Sequence, residues 1–555
     1  GAQALAFRMG ERPPAMAKDH WQVHKFGGSS LADPSCFRRV SDILLDAGPA
    51  PMAVVVSAMG GMTDALLGLV ASAEQGADRI APGLEAIAAR YEAAVDELLG
   101  SSAPAGEVLD AFRADLGDAS DVLHAVSLVR SAADRSRDLV AGFGELWSTR
   151  LLAAYLRQAA EARDSATNIR WLDARQLISV EHGEMGPGVL WDVSRENAER
   201  HFPSPVDGIT VITGFIASDG GGLHTTLGRN GSDFSASIVA ALLKAESISI
   251  WTDVDGVLSA DPNRVPEAAV IDELSYNEAM ELAYFGAKVI HPQTMAPAVE
   301  HAIPILIRIT FNSQAPGSRI SGQCSDAAQI KGITSISDVS LVNLEGAGMI
   351  GVPGTADRLF GALRESGISV ILISQGSSEH SICFAVPEPD SDAVEAVVRR
   401  AFAAELELGQ IQSVEVQHGC SIIAVVGDGL AGMPGLAAKF FATLGRAGIN
   451  IKAIAQGSSE RNISAVIDGE EATRALRAAH SGFYLSAETL SVGLIGPGNV
   501  GGVLLEQMAA QAGALHQNFG LDFRVRGIAT SSRMLLAERS VDLANWQAEF
   551  ESGSE

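Results

Sequence analysis

One stretch of this chain occurs twice. Gly367-Ile-Ser-Val-Ile-Leu-Ile-Ser-Gln-Gly-Ser-Ser-Glu-His-Ser-Ile382 returns 81 residues later as Gly448-Ile-Asn-Ile-Lys-Ala-Ile-Ala-Gln-Gly-Ser-Ser-Glu-Arg-Asn-Ile463. Gly346 and Gly348 recur as Gly427 and Gly429 at the same offset, and the helical pattern of 353–366 recurs at 434–447. Self-similarity at a fixed offset marks one supersecondary unit used twice. The spacing predicts a strand, helix, strand, strand, helix unit over 335–417 and a second over 418–484. In each, a polar Gln-Gly-Ser-Ser-Glu turn separates two apolar runs. Duplicated polar turns suggest paired binding sites, and so a control half beside a working half.

The working half precedes the repeats. From 21 to about 320, short β-branched runs alternate with Ala/Leu-rich helical patterns. The runs include Trp21–Phe26, Ala53–Ser57, Gly208–Thr213, Ser247–Thr252 and Pro304–Ile309. Such alternation implies an α/β fold with a largely parallel sheet covered on both faces. Residues 77–165 read as a helical excursion from that sheet. After Tyr484, Leu490-Ser-Val-Gly-Leu-Ile-Gly-Pro-Gly-Asn-Val-Gly501 is a strand running into Gly-x-Gly-x-x-Gly, with a helix and a second strand, Asp522–Ala529, beyond it.

At 555 residues the chain is too long for one core, and roughly three or four domains are expected. A formal charge of −27 argues against nucleic acid or an anionic membrane as partner, though not against a small anionic substrate. No run of about 18 apolar residues suggests a membrane span. Cys36, Cys324, Cys383 and Cys420 lack metal-ligand spacing, so no metal site is expected, and they fit a reducing, cytoplasmic setting. Residues 1–20 read as an N-terminal extension, with Met16 as the expected native start.

Val23-His-Lys-Phe-Gly-Gly-Ser-Ser30 sets Lys25 at the end of a strand that opens into a glycine turn and a helix. Gly27 and Gly28 let backbone amides approach phosphate oxygens, and a helix N-terminus favours negative charge. Lys25 would add a point charge at a transferring phosphoryl group. This is neither a Walker loop nor the protein-kinase set; the plain alternative is a tight turn with a snorkelling lysine.

Lys25-Phe-Gly-Gly-Ser-Ser30 resembles the N-terminal signature of aspartate kinases, in the amino-acid kinase superfamily. Gly144-Glu-Leu-Trp-Ser148, Leu227-Gly-Arg-Asn-Gly-Ser-Asp233, Trp251-Thr-Asp-Val-Asp-Gly256 and Phe285-Gly-Ala-Lys-Val-Ile-His-Pro292 follow in that family's order and spacing. The resemblance implies a catalytic domain over 21–325 that phosphorylates the β-carboxylate of L-aspartate with Mg-ATP. A carboxylate is already ionised at neutral pH, so the reaction needs positioning and charge neutralisation and no general base. Lys25 and Asp233 would be the catalytic pair. Arg229, in the turn with Asn230, Gly231 and Ser232, would take the substrate's α-carboxylate through a bidentate fork, each charged bond contributing roughly 1.5–3 kcal/mol. Glu145, read as lying near a helix start, would take the α-ammonium. Thr63 would offer a hydroxyl to the substrate. Gly27, Gly28, Ser29, Ser30, Thr252, Asp253, Leu258, Lys288 and Val289 would form the ATP site with Lys25. Many members carry tyrosine at the position of Leu258 and arginine at that of Asn263, so nucleotide stacking or phosphate contact is in question there; Arg264 is a candidate substitute.

The repeats resemble tandem ACT modules, ferredoxin-like αβ units that bind amino acids. Gln-Gly-Ser-Ser-Glu in both copies is similar to the threonine-responsive bifunctional aspartate kinase–homoserine dehydrogenases. That implies an effector, threonine first, at Gln375 and Gln456, and a homo-oligomer that is at least a dimer through these modules. A polar turn kept similar without binding is the alternative. Residues 490–555, with Gly496, Gly498, Val500 and Gly501, resemble a partial Rossmann unit, the start of a homoserine dehydrogenase whose remainder is missing. NADP would bind only the complete half; Arg526, with no acidic residue near, favours NADP over NAD. The expectation for this tail is poor order or oligomer-promoting apolar faces. Two other readings remain open: a degenerate kinase fold that only senses amino acids, and a carboxylate kinase acting on another substrate.

Overall fold

The computed structural model describes residues 21–552 except 49, 184–185, 204–207, 286–290, 323, 325–329, 377–379, 485–487 and 520. It divides into two compact units: Gly1–Gly256 with Val289–Gln323, and Val257–Lys288 with Cys324–Glu555. Residues 257–288, expected within the catalytic domain, therefore group with the second unit. No helix among the described residues is long and apolar enough to cross a membrane.

In the first unit, seven strands lie in the order Ser318–Ser321, Ile305–Ile309, Ser247–Thr252, Gln22–Phe26, Met52–Val56, Ile209–Thr213, Ile169–Leu172. All pair in parallel except the first, which is antiparallel to Ile305–Ile309. Every residue of Met52–Val56 is buried, as a strand covered on both faces requires. The Lys25 strand lies at the sheet's centre, between Met52–Val56 and Ser247–Thr252. The helical excursion consists of Ile80–Leu99, Ala103–Val129 and Asp134–Ala162. Tyr91, Phe112 and Trp147 join these three helices through one buried aromatic cluster. A separate four-stranded sheet at 179–226 was not legible in the sequence, its strands being short and rich in glycine and polar residues.

The second unit contains the repeats. Helices Thr355–Glu365 and Leu436–Arg446 occupy the two predicted positions. The two modules share strands. Gly332–Glu345 uses its first half, 332–336, against 422–426 of Ser413–Val426, and its second half, 339–345, against Ser381–Pro387. The N-terminal part of each long strand thus completes the other module's sheet, which the boundary at 417/418 did not foresee. Each module has its own helix-covered core, one around Phe384 and Phe402, the other around Phe440 and Ile467. A third apolar cluster joins the opposed inner faces through Leu341, Leu372, Cys420 and Ile422. At the meeting edges, Ser374 Oγ donates to Ile454 O at 2.9 Å.

Residues 488–552 form strand Glu488–Ile495, helix Asn499–Phe519 and strand Leu521–Ala529, the two strands parallel. Poor order or oligomer-promoting apolar faces were the two expectations for this tail. Against the first, Val541 and Trp546 fold back and bury Leu505, Val525 and Ile528 in a small core. Apolar surface nevertheless stays exposed, most at Ile495 and Val500.

Candidate functional site

The first unit gathers the charged motif residues at the C-terminal ends of its central strands, where open α/β sheets take ligands. Lys25 Nζ stands 2.7 Å from Asp233 Oδ1, with the side chains 12% and 13% exposed. Asp233 lies in the first turn of helix Gly231–Leu243, so strand register and helix start together fix the pair. Beyond Lys25 the chain turns through Gly27 into a 3-10 turn, Gly28–Leu31. Among the described residues no acceptor is found for the amides of Gly27, Gly28 and Ser29. Three free amides beside an ammonium are a fitting cradle for phosphate.

A second loop, 57–61, lies directly against this turn. A Cβ on Gly28 would stand 3.2 Å from Ala58 O and 3.4 Å from Gly60 Cα, and one on Gly60 would stand 3.0 Å from Gly28 O. Two backbones approach here because neither has a side chain. Gly61, at φ 76°, then starts helix Met62–Gln75, whose first turn carries Thr63. Ser57 Oγ donates to Ser232 Oγ at 2.8 Å, tying the loop to the Asp233 helix.

Glu145 faces the same loop. It is 3% exposed, and Oε1 accepts from the Ala58 amide at 3.4 Å. Oε2 has no partner among the described residues. Burial pushes its pKa up to about 8, with the backbone amide contact opposing that rise. A buried carboxyl with one unsatisfied oxygen is incomplete without a donor or a cation. Glu145 was expected near a helix start, yet it sits well inside helix Asp134–Ala162. The glycine before it marks contact rather than a boundary: a Cβ on Gly144 would lie 2.9 Å from Ala58 Cβ.

Arg229 and Asn230 are exposed in the turn before helix Gly231–Leu243, Asn230 at φ 56°. Arg229 has no recorded protein partner among the described residues, which leaves its fork available. Thr252 and Asp253 end the strand beside Lys25's, with Thr252 Oγ1 donating to Asp253 Oδ1 at 3.1 Å. Ser29 is exposed at the glycine turn, whereas the buried Ser30 hydroxyl is 2.6 Å from Thr310 Oγ1 and serves the fold. His24 is also buried, accepting from Trp251 Nε1 at 3.1 Å. Burial, aided by Arg308, lowers its pKa to about 4, so it stays neutral.

Other expected positions belong to the second unit or fall outside the described residues. Leu258 bridges to Val270 in the second unit. Lys288 and Val289 lie outside the described residues. Arg264, the suggested substitute for a phosphate contact, donates to Ser335 and Ser337 at 3.2 and 3.1 Å. Asn263 closes a turn on Asp261. Gln375 lines a cavity of about 370 Å³ with Met349, Val352, Pro353 and Thr355. Gln456 is exposed at the end of the equivalent strand. At the tail, Gly496 has φ 91°, and a Cβ on Gly501 would fall 2.3 Å from Gly496 O. Gly498 caps the start of helix Asn499–Phe519, its carbonyl accepting from Gly502, and Val500 is exposed on the first turn. Arg526, read as a cofactor contact, pairs with Glu267 at 2.6 Å. Its partner comes from a distant segment that sequence reading could not place beside it.

Comparison with known proteins gives the family of the chain. The amino acid kinase family model matches residues 20–308, and the ACT domain model matches 342–402 and 423–483. The chloroplastic bifunctional aspartokinase/homoserine dehydrogenase 1 of Arabidopsis thaliana is 43% identical over 95% of this chain, which spans 58% of that relative's length. The chloroplastic aspartokinase 2 of Arabidopsis thaliana is 30% identical over 83% of this chain and 84% of its own. Among solved structures, E. coli aspartokinase III in complex with aspartate and ADP matches with a TM-score of 0.69 and 28% identity, covering 84% of this chain and all of that one.

Proposed function

The chain belongs to the amino acid kinase family, and from that premise we propose that it transfers the γ-phosphoryl group of ATP to the β-carboxylate of L-aspartate. The products are 4-phospho-L-aspartate and ADP. A β-carboxylate oxygen attacks the γ-phosphorus, the bond to the β–γ bridging oxygen breaks, and its electron pair leaves with ADP. No proton has to be removed from the nucleophile. The Lys25–Asp233 pair beside three free turn amides carries this reading. Lys25 neutralises charge that builds on the phosphoryl oxygens, while Asp233 holds the ammonium in place. Gly27, Gly28 and Ser29 offer amides to phosphate, and Thr252 and Asp253 bound the nucleotide side. Arg229 takes the α-carboxylate and Glu145 the α-ammonium, and Thr63, in the first turn of helix Met62–Gln75, offers its hydroxyl to the substrate.

Magnesium would arrive on the nucleotide's phosphates and supply positive charge there. The ACT modules would bind an amino-acid effector, threonine first, at the Gln375 cavity and the Gln456 turn, and would pair between chains in at least a dimer. The Gly496–Gly501 turn would belong to a homoserine dehydrogenase half, the second activity in the names of the bifunctional relatives, and would take NADP there. ATP- and aspartate-dependent acyl-hydroxamate formation tests the kinase reading. Absence of hydroxamate would overturn it, and equal rates with glutamate would move it to another carboxylate kinase.

A further inference from the structure

Helix Ile80–Leu99 contributes one side chain to the backbone around the site. Arg90 Nη2 donates to Gly60 O at 2.6 Å and to Ala32 O at 3.2 Å. These carbonyls belong to the two loops that meet at Gly28 and Gly60. Ala32 follows the phosphate-type turn at once, and a Cβ on Gly60 would lie 3.3 Å from Ala32 Cβ. Gly60 separates Ala58, whose amide faces Glu145, from the helix start that carries Thr63. One guanidinium therefore fastens the nucleotide-side turn to the substrate-side loop.

We propose that Arg90 is a positioning residue that sets the spacing between the phosphate turn and the aspartate-side loop. The inference rests on the kinase reading above and assigns no contact of Arg90 with substrate. The physical need for it is local. Loop 57–61 meets the turn backbone to backbone at Gly28 and Gly60, and Gly61, at φ 76°, holds a left-handed backbone just before the helix. One guanidinium nitrogen, Nη2, donating to both carbonyls ties the two loops to a single planar group. Charged hydrogen bonds of this kind are about twice as strong as neutral ones. The amide plane of Gly60–Gly61 is rigid, so anchoring its carbonyl also fixes the direction of the Gly61 amide one residue before the helix. Misplacing reacting groups by about 1 Å can cost on the order of 100-fold in rate.

The test compares Arg90→Ala, Arg90→Gln and Arg90→Lys with the unaltered protein by steady-state kinetics, varying aspartate and ATP separately. Aspartate binding without nucleotide and thermal unfolding are measured in parallel. Arg90→Ala and Arg90→Gln are expected to lower kcat/KM for aspartate about tenfold or more while unfolding as the parent does. Arg90→Lys, able to reach one carbonyl, should recover part of the loss. Values of kcat and both KM within twofold of the parent in all three variants would overturn the inference. So would losses in activity that only track a lowered unfolding temperature, with no recovery in Arg90→Lys. An unaltered protein that makes no acyl phosphate would instead overturn the kinase reading, so the two failures are distinguishable.

Discussion

If Glu145 takes the substrate's α-ammonium as proposed, substrate binding should be tied to proton release, and the size of that link follows from its surroundings. Without substrate, burial holds its pKa near 8, against 4.5 in an exposed chain. At pH 7, about one unit below, roughly 90% of molecules carry the proton. An α-ammonium against Oε2 stabilises the charged carboxylate and draws the pKa down. Binding aspartate at pH 7 should therefore expel about 0.9 proton per site, and the apparent affinity should rise close to tenfold per pH unit below about pH 7.5, levelling above about 8. Calorimetry in two buffers of different ionisation enthalpy reads the released proton directly. Stability carries the same signature. The folded, substrate-free protein keeps a proton that the unfolded chain has released between about pH 4.5 and 8. This contribution is thus full below 4.5 and is lost as pH rises through 8, amounting to roughly 3 kcal/mol by pH 7. Glu145→Gln should flatten that slope and weaken aspartate binding. Buffer-independent heats in the parent would refute the placement of the ammonium, and an unchanged stability slope in Glu145→Gln would refute the raised carboxyl pKa.

Three further outcomes are expected. Lys25→Ala should lower turnover roughly 100- to 1,000-fold, as when one preorganised donor is removed, and preserved turnover in a coupled ADP assay would end its catalytic role. Gln375→Ala and Gln456→Ala should weaken inhibition by threonine with uninhibited turnover near normal, more so at Gln375; full inhibition in both would remove these glutamines from the sensor. Phe440→Ala, emptying a fully buried position in the second module's core, should cost about 3–5 kcal/mol in denaturant unfolding, and a loss below 1 kcal/mol would mean the core refills the space.

Much of the architecture was legible because its signals are local. Strand and helix periods gave the parallel sheet, the repeat gave both modules, and Lys25 with its glycines marked the turn. The rest depends on distant contacts. Nothing in 80–99 distinguishes Arg90 from the other charged residues of an Ala/Glu/Arg helix. Ser30 reads as a phosphate-turn hydroxyl until Thr310 arrives from 280 residues later. Arg526 and Arg264 read as free cations until Glu267, and Ser335 with Ser337, engage them. Glycines mislead in their own way. Gly144 suggests a helix boundary by propensity, but its use is to let Ala58 come close enough for its amide to reach Glu145.

The duplicated modules are alike in backbone and unlike in chemistry. Gly354 and Gly435 share φ 92°, and Gly351 and Gly432 have φ 70° and 69°, so the turns are built on one plan. Side chains then diverge. Thr355 lines the Gln375 cavity and donates to Val352 O at 3.1 Å, while its counterpart Leu436 is buried in the second module's core. In that module Glu460 closes the Gln-Gly-Ser-Ser-Glu turn at φ 55° and accepts from the Gly432 amide at 2.7 Å. A small hydroxylated amino acid would find a hydroxyl, a glutamine and open volume in the first module, and a buried leucine at the matching position in the second. Sequence duplication alone predicts equal effects at Gln375 and Gln456; these differences are the reason to expect the larger one at Gln375.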